Sequence, residues 1–479
     1  MERTRAGPRG EGASRRGRSW DNAPVKQTPR HSIVFALTLV ASMAARGDRT
    51  IVRGGDAPGR VPPDPVVLAK DLAAAVDLAS STARAAAADV LAARAGVTVD
   101  EWRTAMAAFS PSGGPSKSGA ATEAATLPVL DATESTSIAV YVPTSWPKPG
   151  PAGLLLAFHG KGDAGESMAT AWAATAEGSG LVIVAPTEAG PNEGYRFSPR
   201  ERAAGIAALR WARRRFDVDE NRVFLTGWSR GGHMAWDVAL HRPDLFAAVL
   251  PVVGAPRLAN QQAENNVRYL ENLVDVSIRD LQGSKDDPRV LRNLHLAFDR
   301  FAAWKARDAK LIEFPDRGHD ADLSAVDWTA LFATVKRDPR PPRVVRRTAT
   351  PGGARAAYAE ILAIEGSVAE LVAPIQPAGW AKMSDDAKSA FVEGEIEKKT
   401  ARLEVVHGAG NRFEAKSTGV ARWRLLLDDK LIDPSKPVAV VWNGRTITRP
   451  VAPSKTVLLR DFVERFDRTY LPTIEVAVP

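Results

Sequence analysis

The sequence predicts an α/β fold, a mostly parallel sheet with helices on both faces, joined to a helical segment on one side in sequence and a β-rich module on the other. Three observations predict it. Short runs rich in Val, Ile, Leu and Phe alternate with helical stretches from about residue 127 to 337. One of these runs passes directly into a helix through a glycine-flanked serine turn, Gly227-Trp228-Ser229-Arg230-Gly231. The chain, at 479 residues, is longer than one ordinary domain, so a mid-sized unit with attached modules is expected.

Composition narrows the class. Hydrophobic residues make up 44% and Gly and Pro are spread along the chain, which excludes wholesale disorder and collagen-like or coiled-coil repeats. The net charge of +8 suggests a nucleic-acid or membrane ligand until its location is read. Residues 1–44 hold eight Lys or Arg against three acids, so most of the excess sits there and no nucleic-acid partner is expected. There are no cysteines, which removes disulfides, thiolate catalysis and thiolate metal sites.

Residues 1–45 read as a basic leader and signal-like segment. The charged stretch runs into Ile33–Ala41, an apolar core far shorter than the ~20 residues a membrane span needs, and then into the small residues Ser42-Met43-Ala44-Ala45. An extracytoplasmic, periplasmic or secreted protein with no integral membrane span after removal of the leader is therefore expected. Residues 64–109 are rich in Ala and Leu without strand alternation and read as two or three helices, with a capping box at Thr98-Val99-Asp100-Glu101. Residues 110–126, with Gly113-Gly114-Pro115, read as a linker.

Residues 127–337 form the expected catalytic unit. Its β runs are Ser137–Val142, Gly153–Phe158, Leu181–Ala185, Arg222–Gly227, Phe246–Val253, Val276–Leu281 and Lys310–Phe314, with helices at Glu201–Phe216, Gly231–His241 and Asn293–Arg307. The Pro-rich basic stretch Asp338–Arg343 reads as a second linker, and Arg340–Arg347 as exposed charge. Residues 338–479 then show period-2 runs, an Asn443-Gly444 hairpin turn and a helix near Asp385–Glu397, an accessory and mostly antiparallel β domain.

The serine turn carries the chemistry. A strand that turns sharply into a helix needs glycines where backbones crowd, at Gly227 and Gly231, and lifts the middle side chain, Ser229, above the sheet. The helix N-terminus also offers free N–H groups to a developing oxyanion. A serine hydroxyl needs a base to take its proton and a carboxylate to orient that base. Gly283-Ser284-Lys285-Asp286-Asp287 and Gly318-His319 each follow a later β run. His319 is the expected base and Asp286 or Asp287 the expected acid, with Asp275 and Asp280 next in line. A second oxyanion donor is expected from Phe158-His159-Gly160-Lys161-Gly162, so the backbone N–H groups of Arg230 and Lys161, with Gly160 in reserve, complete the candidate site.

Leu156–Gly160, Val218–Gly232, Gly283–Asp287 and Phe314–His319 together resemble the polyhydroxybutyrate-depolymerase and feruloyl or acetyl xylan esterase branch of the α/β-hydrolases. The resemblance spans roughly Ser137 to Asp320 and implies an α/β-hydrolase fold and a Ser-His-Asp serine esterase working through an acyl-enzyme. It also selects Asp286 over Asp287 through the Gly-x-x-Asp turn. Leu281-Gln282-Gly283 departs from the His-Gly of many relatives.

The implied substrate is a small-molecule or polymeric acyl ester, acylated saccharides included, and the short segment Gly254–Asp275 predicts an open cleft. No cofactor is expected, and no cluster has metal-ligand spacing, Asp320 and Asp322 reading as solvated loop. The other six histidines and Trp380, Trp423 and Trp442 read as structural residues. Two further readings are compatible with the same residues: a serine peptidase or acyltransferase on this fold, and a non-catalytic binding protein that keeps it. Oligomeric state is not legible.

Overall fold

A computed structural model describes residues 62–479 apart from 110, 112–116, 147–149, 189–194, 258–265, 351–353, 367 and 369–375. The leader expected over residues 1–45 and Gly113 and Gly114 of the first linker lie outside the described residues.

Three helices come first: α1 (Pro65–Val76), α2 (Ser81–Ala92) and α3 (Val99–Ala107). Asp64, Ser80 and Thr98 cap them, and Thr98 with Glu101 makes the reciprocal capping box. There follow β1 (Gly119–Val129), β2 (Ala132–Val142), β3 (Ala152–Phe158), α4 (Gly165–Ser179), β4 (Leu181–Pro186), α5 (Pro199–Arg215), β5 (Val218–Trp228), α6 (Arg230–His241), β6 (Ala248–Val252), β7 (Ser277–Gly283), α7 (Pro288–Ala303), β8 (Ala309–Phe314) and α8 (Trp328–Thr334). The eight strands form one sheet in the order β1-β2-β4-β3-β5-β6-β7-β8. β2 is antiparallel to both neighbours and the strands from β4 to β8 are parallel.

The central strands read as unbroken apolar runs because both of their faces are covered. Leu154, Leu156 and Phe158 of β3 enter a core shared with α5, α6 and α7, while Leu155 and Ala157 enter a second core under α4 and α8. With the serine turn at the junction of β5 and α6, this is the α/β-hydrolase fold.

The start of this unit is a correction. Residues 119–126, expected as linker, are part of β1, paired along its whole length with β2. Small residues such as Ala120, Ala121 and Ala124 do not look like a strand, but β1 is an edge strand whose first half faces solvent.

β9 (Arg343–Thr348), β10 (Ala354–Ala356), β11 (Ala359–Ile364), α9 (Asp385–Lys398), β12 (Ala401–His407), β13 (Arg412–Thr418), β14 (Val420–Leu427), β15 (Val438–Trp442), β16 (Arg445–Arg449), α10 (Lys455–Arg465) and β17 (Ile474–Val478) complete the described chain. Two sheets, β10-β11-β14-β17 and β16-β15-β13-β12-β9, share a core around Tyr358, Phe413 and the fully buried Trp423. Every pairing is antiparallel except β13 with β15. The positive φ of Asn443 and Gly444 makes the turn between β15 and β16.

Two more corrections concern this half. Arg340–Arg347 is not exposed charge. Arg346 and Arg347 are 4% and 3% exposed on β9, Arg346 donates to the carbonyls of Leu240 and His241 at the end of α6, and Arg347 pairs with Glu271 and Glu397. The expected exposure failed because a charge run becomes internal when carboxylates and helix-end carbonyls face it. The second correction is α10, which was not anticipated. Its Leu458, Leu459, Phe462 and Val463 share one core with α1, α2 and α3. The buried guanidinium of Arg210 ties this cluster to α5, donating to the carbonyls of Val76, Val463 and Glu464 at the ends of α1 and α10.

Candidate active site

The site lies at the C-terminal ends of β3, β5, β7 and β8, where loops leave a parallel sheet and side chains converge. Ser229 sits between β5 and α6 with φ 56° and ψ −115°, a backbone state that a β-carbon disfavours. Close packing holds it there. A β-carbon on Gly227 would meet the carbonyl oxygen of Gly231 at 2.1 Å, and one on Gly231 would meet that of Phe158 at 2.0 Å. The N–H of Ser229 donates to Val252 O at 2.8 Å, and its own carbonyl accepts from the N–H of His233 at 3.0 Å. Trp228 packs on its other side against the α4–α8 core.

His319 follows β8 and lies between the other two predicted residues. Its Nε2 is 2.7 Å from Ser229 Oγ and its Nδ1 is 2.8 Å from Asp286 Oδ2. The imidazole is 50% exposed while the Asp286 carboxylate is 8% exposed, so the base stands at the mouth of the cleft and the acid below it. Burial would raise the pKa of Asp286, but the Asp287 N–H, His319 and Gln282 outweigh it, and the carboxyl is held below its ordinary value. Asp287 turns away. It caps α7 by accepting from the N–H of Arg289 and meets that residue's guanidinium at 2.6 Å.

The loops carrying acid and base are locked together. A β-carbon on Gly283 would stand 1.9 Å from Gly318 O, the Lys285 N–H donates to Arg317 O at 2.7 Å, and Lys285 meets Asp316 at 2.6 Å. Gln282, where the sequence departs from the resemblance, is fully buried and its Nε2 donates to Asp286 Oδ2 at 2.6 Å. Sequence reasoning did not find this contact. The available signal was an amide side chain one position before the glycine that ends the strand.

Of the two alternative acids, Asp280 is buried beneath the sheet on the indole N–H of Trp236 at 2.8 Å, and Asp275 lies in the turn before β7. Neither reaches His319.

The oxyanion candidates flank Ser229. The N–H of Arg230 is the first of α6 and has no acceptor within the helix. Gly160 closes the opposite wall, its β-carbon position 3.8 Å from Ser229 Cβ and 3.6 Å from Trp228 O. His159, expected as structural, is fully buried beneath this turn. Its Nδ1 is 2.8 Å from Gly160 O and its Nε2 accepts from the N–H of Glu188 at 2.9 Å. Burial lowers its pKa and favours the neutral ring that such bonding requires. Among the described residues no group of three or more His, Asp or Glu is placed to hold a metal ion, and no helix is long and apolar enough to cross a membrane.

This arrangement can take a proton from a serine oxygen and pass it to a leaving group. The model of the prolyl oligopeptidase family matches residues 203–282, from α5 through the serine turn to β7. Comparison with curated protein sequences finds no match. Among solved structures, a thermostable esterase is similar at 21% identity over 41% of this chain and 55% of that one, with a TM-score of 0.35. The chain thus spans about half the length of that esterase. A ferulic acid esterase is 19% identical over 46% of this chain and 97% of its own, with a TM-score of 0.35. The poly(3-hydroxybutyrate) depolymerase from Bordetella parapertussis is 19% identical over 46% and 92%, with a TM-score of 0.37.

Proposed function

We propose that this chain is a serine hydrolase of carboxylic esters in which Ser229 is the nucleophile, His319 the general base and Asp286 the orienting acid. The observation that carries the reading is the unbroken run of hydrogen-bond distances, 2.7 Å and 2.8 Å, from Ser229 through His319 to Asp286. The fold and the family match over residues 203–282 support a serine hydrolase at the coarser level.

In the proposed reaction His319 Nε2 removes the hydroxyl proton as Ser229 Oγ attacks the ester carbonyl, and the carbonyl oxygen becomes an oxyanion held by backbone N–H groups of Arg230 and Lys161. The same Nε2 then protonates the departing alkoxide, leaving an acyl-enzyme. Water, deprotonated by His319, attacks the acyl carbon and restores Ser229. Asp286 accepts the Nδ1–H throughout, which fixes the tautomer and stabilises the imidazolium. The half-exposed His319 supports an open cleft suited to bulky alcohols or polymers.

Ser229→Ala should abolish hydrolysis of a short 4-nitrophenyl ester and labelling by a fluorophosphonate, with the circular dichroism spectrum unchanged. Asp286→Asn should cost on the order of 10⁴ in turnover and Asp287→Asn far less. Activity above a few per cent in Ser229→Ala would overturn the assignment. The family match favours a peptidase as the second reading, and a panel of proline-containing peptide amides beside the esters separates the two.

Export belongs to the same proposal, on the basic, apolar and small-residue order of residues 1–45. Mass spectrometry of the protein from its native host should find a new N-terminus near Ala45 or Arg46, and an intact Met1 in the cytoplasm would refute export.

A further inference from the structure

Partly buried arginines elsewhere in this chain meet carboxylates, as Arg202 meets Asp237 at 2.9 Å and Arg279 meets Asp308 at 2.8 Å, or donate to several carbonyls, as Arg210 and Arg346 do. Two beside the nucleophile do not. Arg230 directly follows Ser229 and Arg257 lies in the loop after β6, and among the described residues neither forms an ion pair. Both guanidinium groups lie on the ring of one buried residue, Phe197, at 5.2 Å and 4.8 Å from its centroid. Arg230 Nε is buried without a hydrogen-bond partner, and Arg257 makes one long contact, 3.4 Å, to the carbonyl of Arg196.

Holding two like charges on one ring costs energy that an isolated protein has no reason to bear. The backbone adds to that cost, because Phe197 has φ 66°, a strained state for an aromatic residue. Among the described residues no carboxylate pairs with either guanidinium; Glu188 and Glu201 act on Arg230, and Asp237 on Arg257, only from farther off. Glu201 is engaged by the N–H groups of Arg196 and Ser198 at 2.8 Å and 2.7 Å. Burial and its neighbour Glu201 push the pKa of Glu188 up to about 7, so its charge is incomplete at neutral pH.

The Phe197 ring in turn meets the serine turn: the His233 ring packs edge-on to it at 6.0 Å, and the backbone N–H of His233 donates to the carbonyl of Ser229. Burial lowers the pKa of His233 to about 4, and Arg230, Arg257 and His319 add to the fall, so both guanidinium groups and the candidate base are near enough to act on the charge of one imidazole.

We propose that Arg230 and Arg257, braced on Phe197, form a carboxylate-binding subsite beside Ser229, and that the preferred substrates are esters bearing an anionic group. A guanidinium matches a carboxylate with paired N–H donors, and stacking on Phe197 holds its plane before the substrate arrives. The inference rests on the hydrolase reading above and narrows its substrate class.

Four aryl esters test it in two matched pairs: neutral 4-nitrophenyl butyrate against the 4-nitrophenyl hemiglutarate with a carboxylate on the acyl side, and neutral 4-chlorophenyl butyrate against the butyrate of 4-hydroxybenzoate with a carboxylate on the leaving group. In wild-type protein kcat/KM for one of the anionic esters should exceed that for the neutral ester of the same leaving-group reactivity by about tenfold at low salt. That ratio should shrink towards one in about 1 M salt, fall about tenfold in Arg257→Gln and recover in part in Arg257→Lys. The arm that responds tells which side of the scissile bond faces the arginines. A ratio near one for both anionic esters, or a ratio untouched by Arg257→Gln, overturns the subsite. Should Arg257→Gln fail to fold, the salt titration and Arg257→Lys decide. Fluorophosphonate labelling of Ser229 separates the two levels. A labelled enzyme without anionic preference loses only the subsite, whereas no labelling and no ester hydrolysis removes the hydrolase reading and the subsite with it.

Discussion

One buried imidazole sets the direction of a peptide plane at the candidate site. His159 holds the carbonyl of Gly160, and a trans peptide carries its N–H on the side opposite its C=O, so the N–H of Lys161 points away from the buried ring towards the exposed face of the turn. The N–H that Glu188 donates to the other ring nitrogen fixes the tautomer that makes this possible. Gln282 does comparable work under the acid. It and His319 both donate to Asp286 Oδ2, while Oδ1 accepts from the Asp287 N–H at 2.7 Å, so three donors define the carboxylate plane. Gln282→Leu keeps the volume and removes one donor to a charged acceptor, a bond worth about 1.5–3 kcal/mol. Turnover should drop about tenfold to a hundredfold with KM within about twofold. An unchanged kcat would mean that His319 and the backbone orient Asp286 unaided. Ser229, His319 and the loop of Asp286 and Asp287 could be singled out in the sequence because glycines betray tight turns and strand ends follow one another in order, while the choice of Asp286 came from the resemblance. His159 and Gln282 could not, because nothing in a one-dimensional pattern says which buried polar group faces which.

Among the elements, those covered on both faces were the easiest to read. β3 and β4 are continuous apolar runs because helices lie above and below them. β1 is the reverse case, an edge strand of alanines and threonines whose order comes from its backbone pairing with β2 and whose composition matches a linker. α10 was hidden differently. Its Leu458, Leu459, Phe462 and Val463 do have helical spacing, but the period-2 runs before it invite a β reading of the whole region. The helix is nonetheless central to its core, where Phe462 is 1% exposed and meets the rings of Phe109 and Phe466 edge-on at 6.1 Å and 5.7 Å. Phe462→Ala should therefore destabilise the protein by about 3–5 kcal/mol, measured by chemical denaturation. A loss under about 1 kcal/mol would show that α10 contributes little to holding α1, α2 and α3.

Across the whole molecule, arginine is an internal fastener as much as a surface charge. Arg337 meets Asp467 at 2.6 Å, Arg468 meets Glu220 at 2.9 Å, and Arg402 meets Glu271 at 2.6 Å, each contact joining the hydrolase unit to the later half of the chain. A net charge read along the sequence gives no hint of this, since it counts charges without saying what faces them. The order in which the parts were made matters as well. Helices α1, α2 and α3 leave the ribosome early, yet their core stays incomplete until α10 follows, about 350 residues later, which at ~5–20 residues per second is roughly 20–70 s. For that interval the surfaces of Trp102 and Phe109 that α10 will cover have no native partner. Among the described helices the first to be synthesised are thus among the last to be sealed, which makes them a stretch of nascent chain that a holding chaperone has reason to cover.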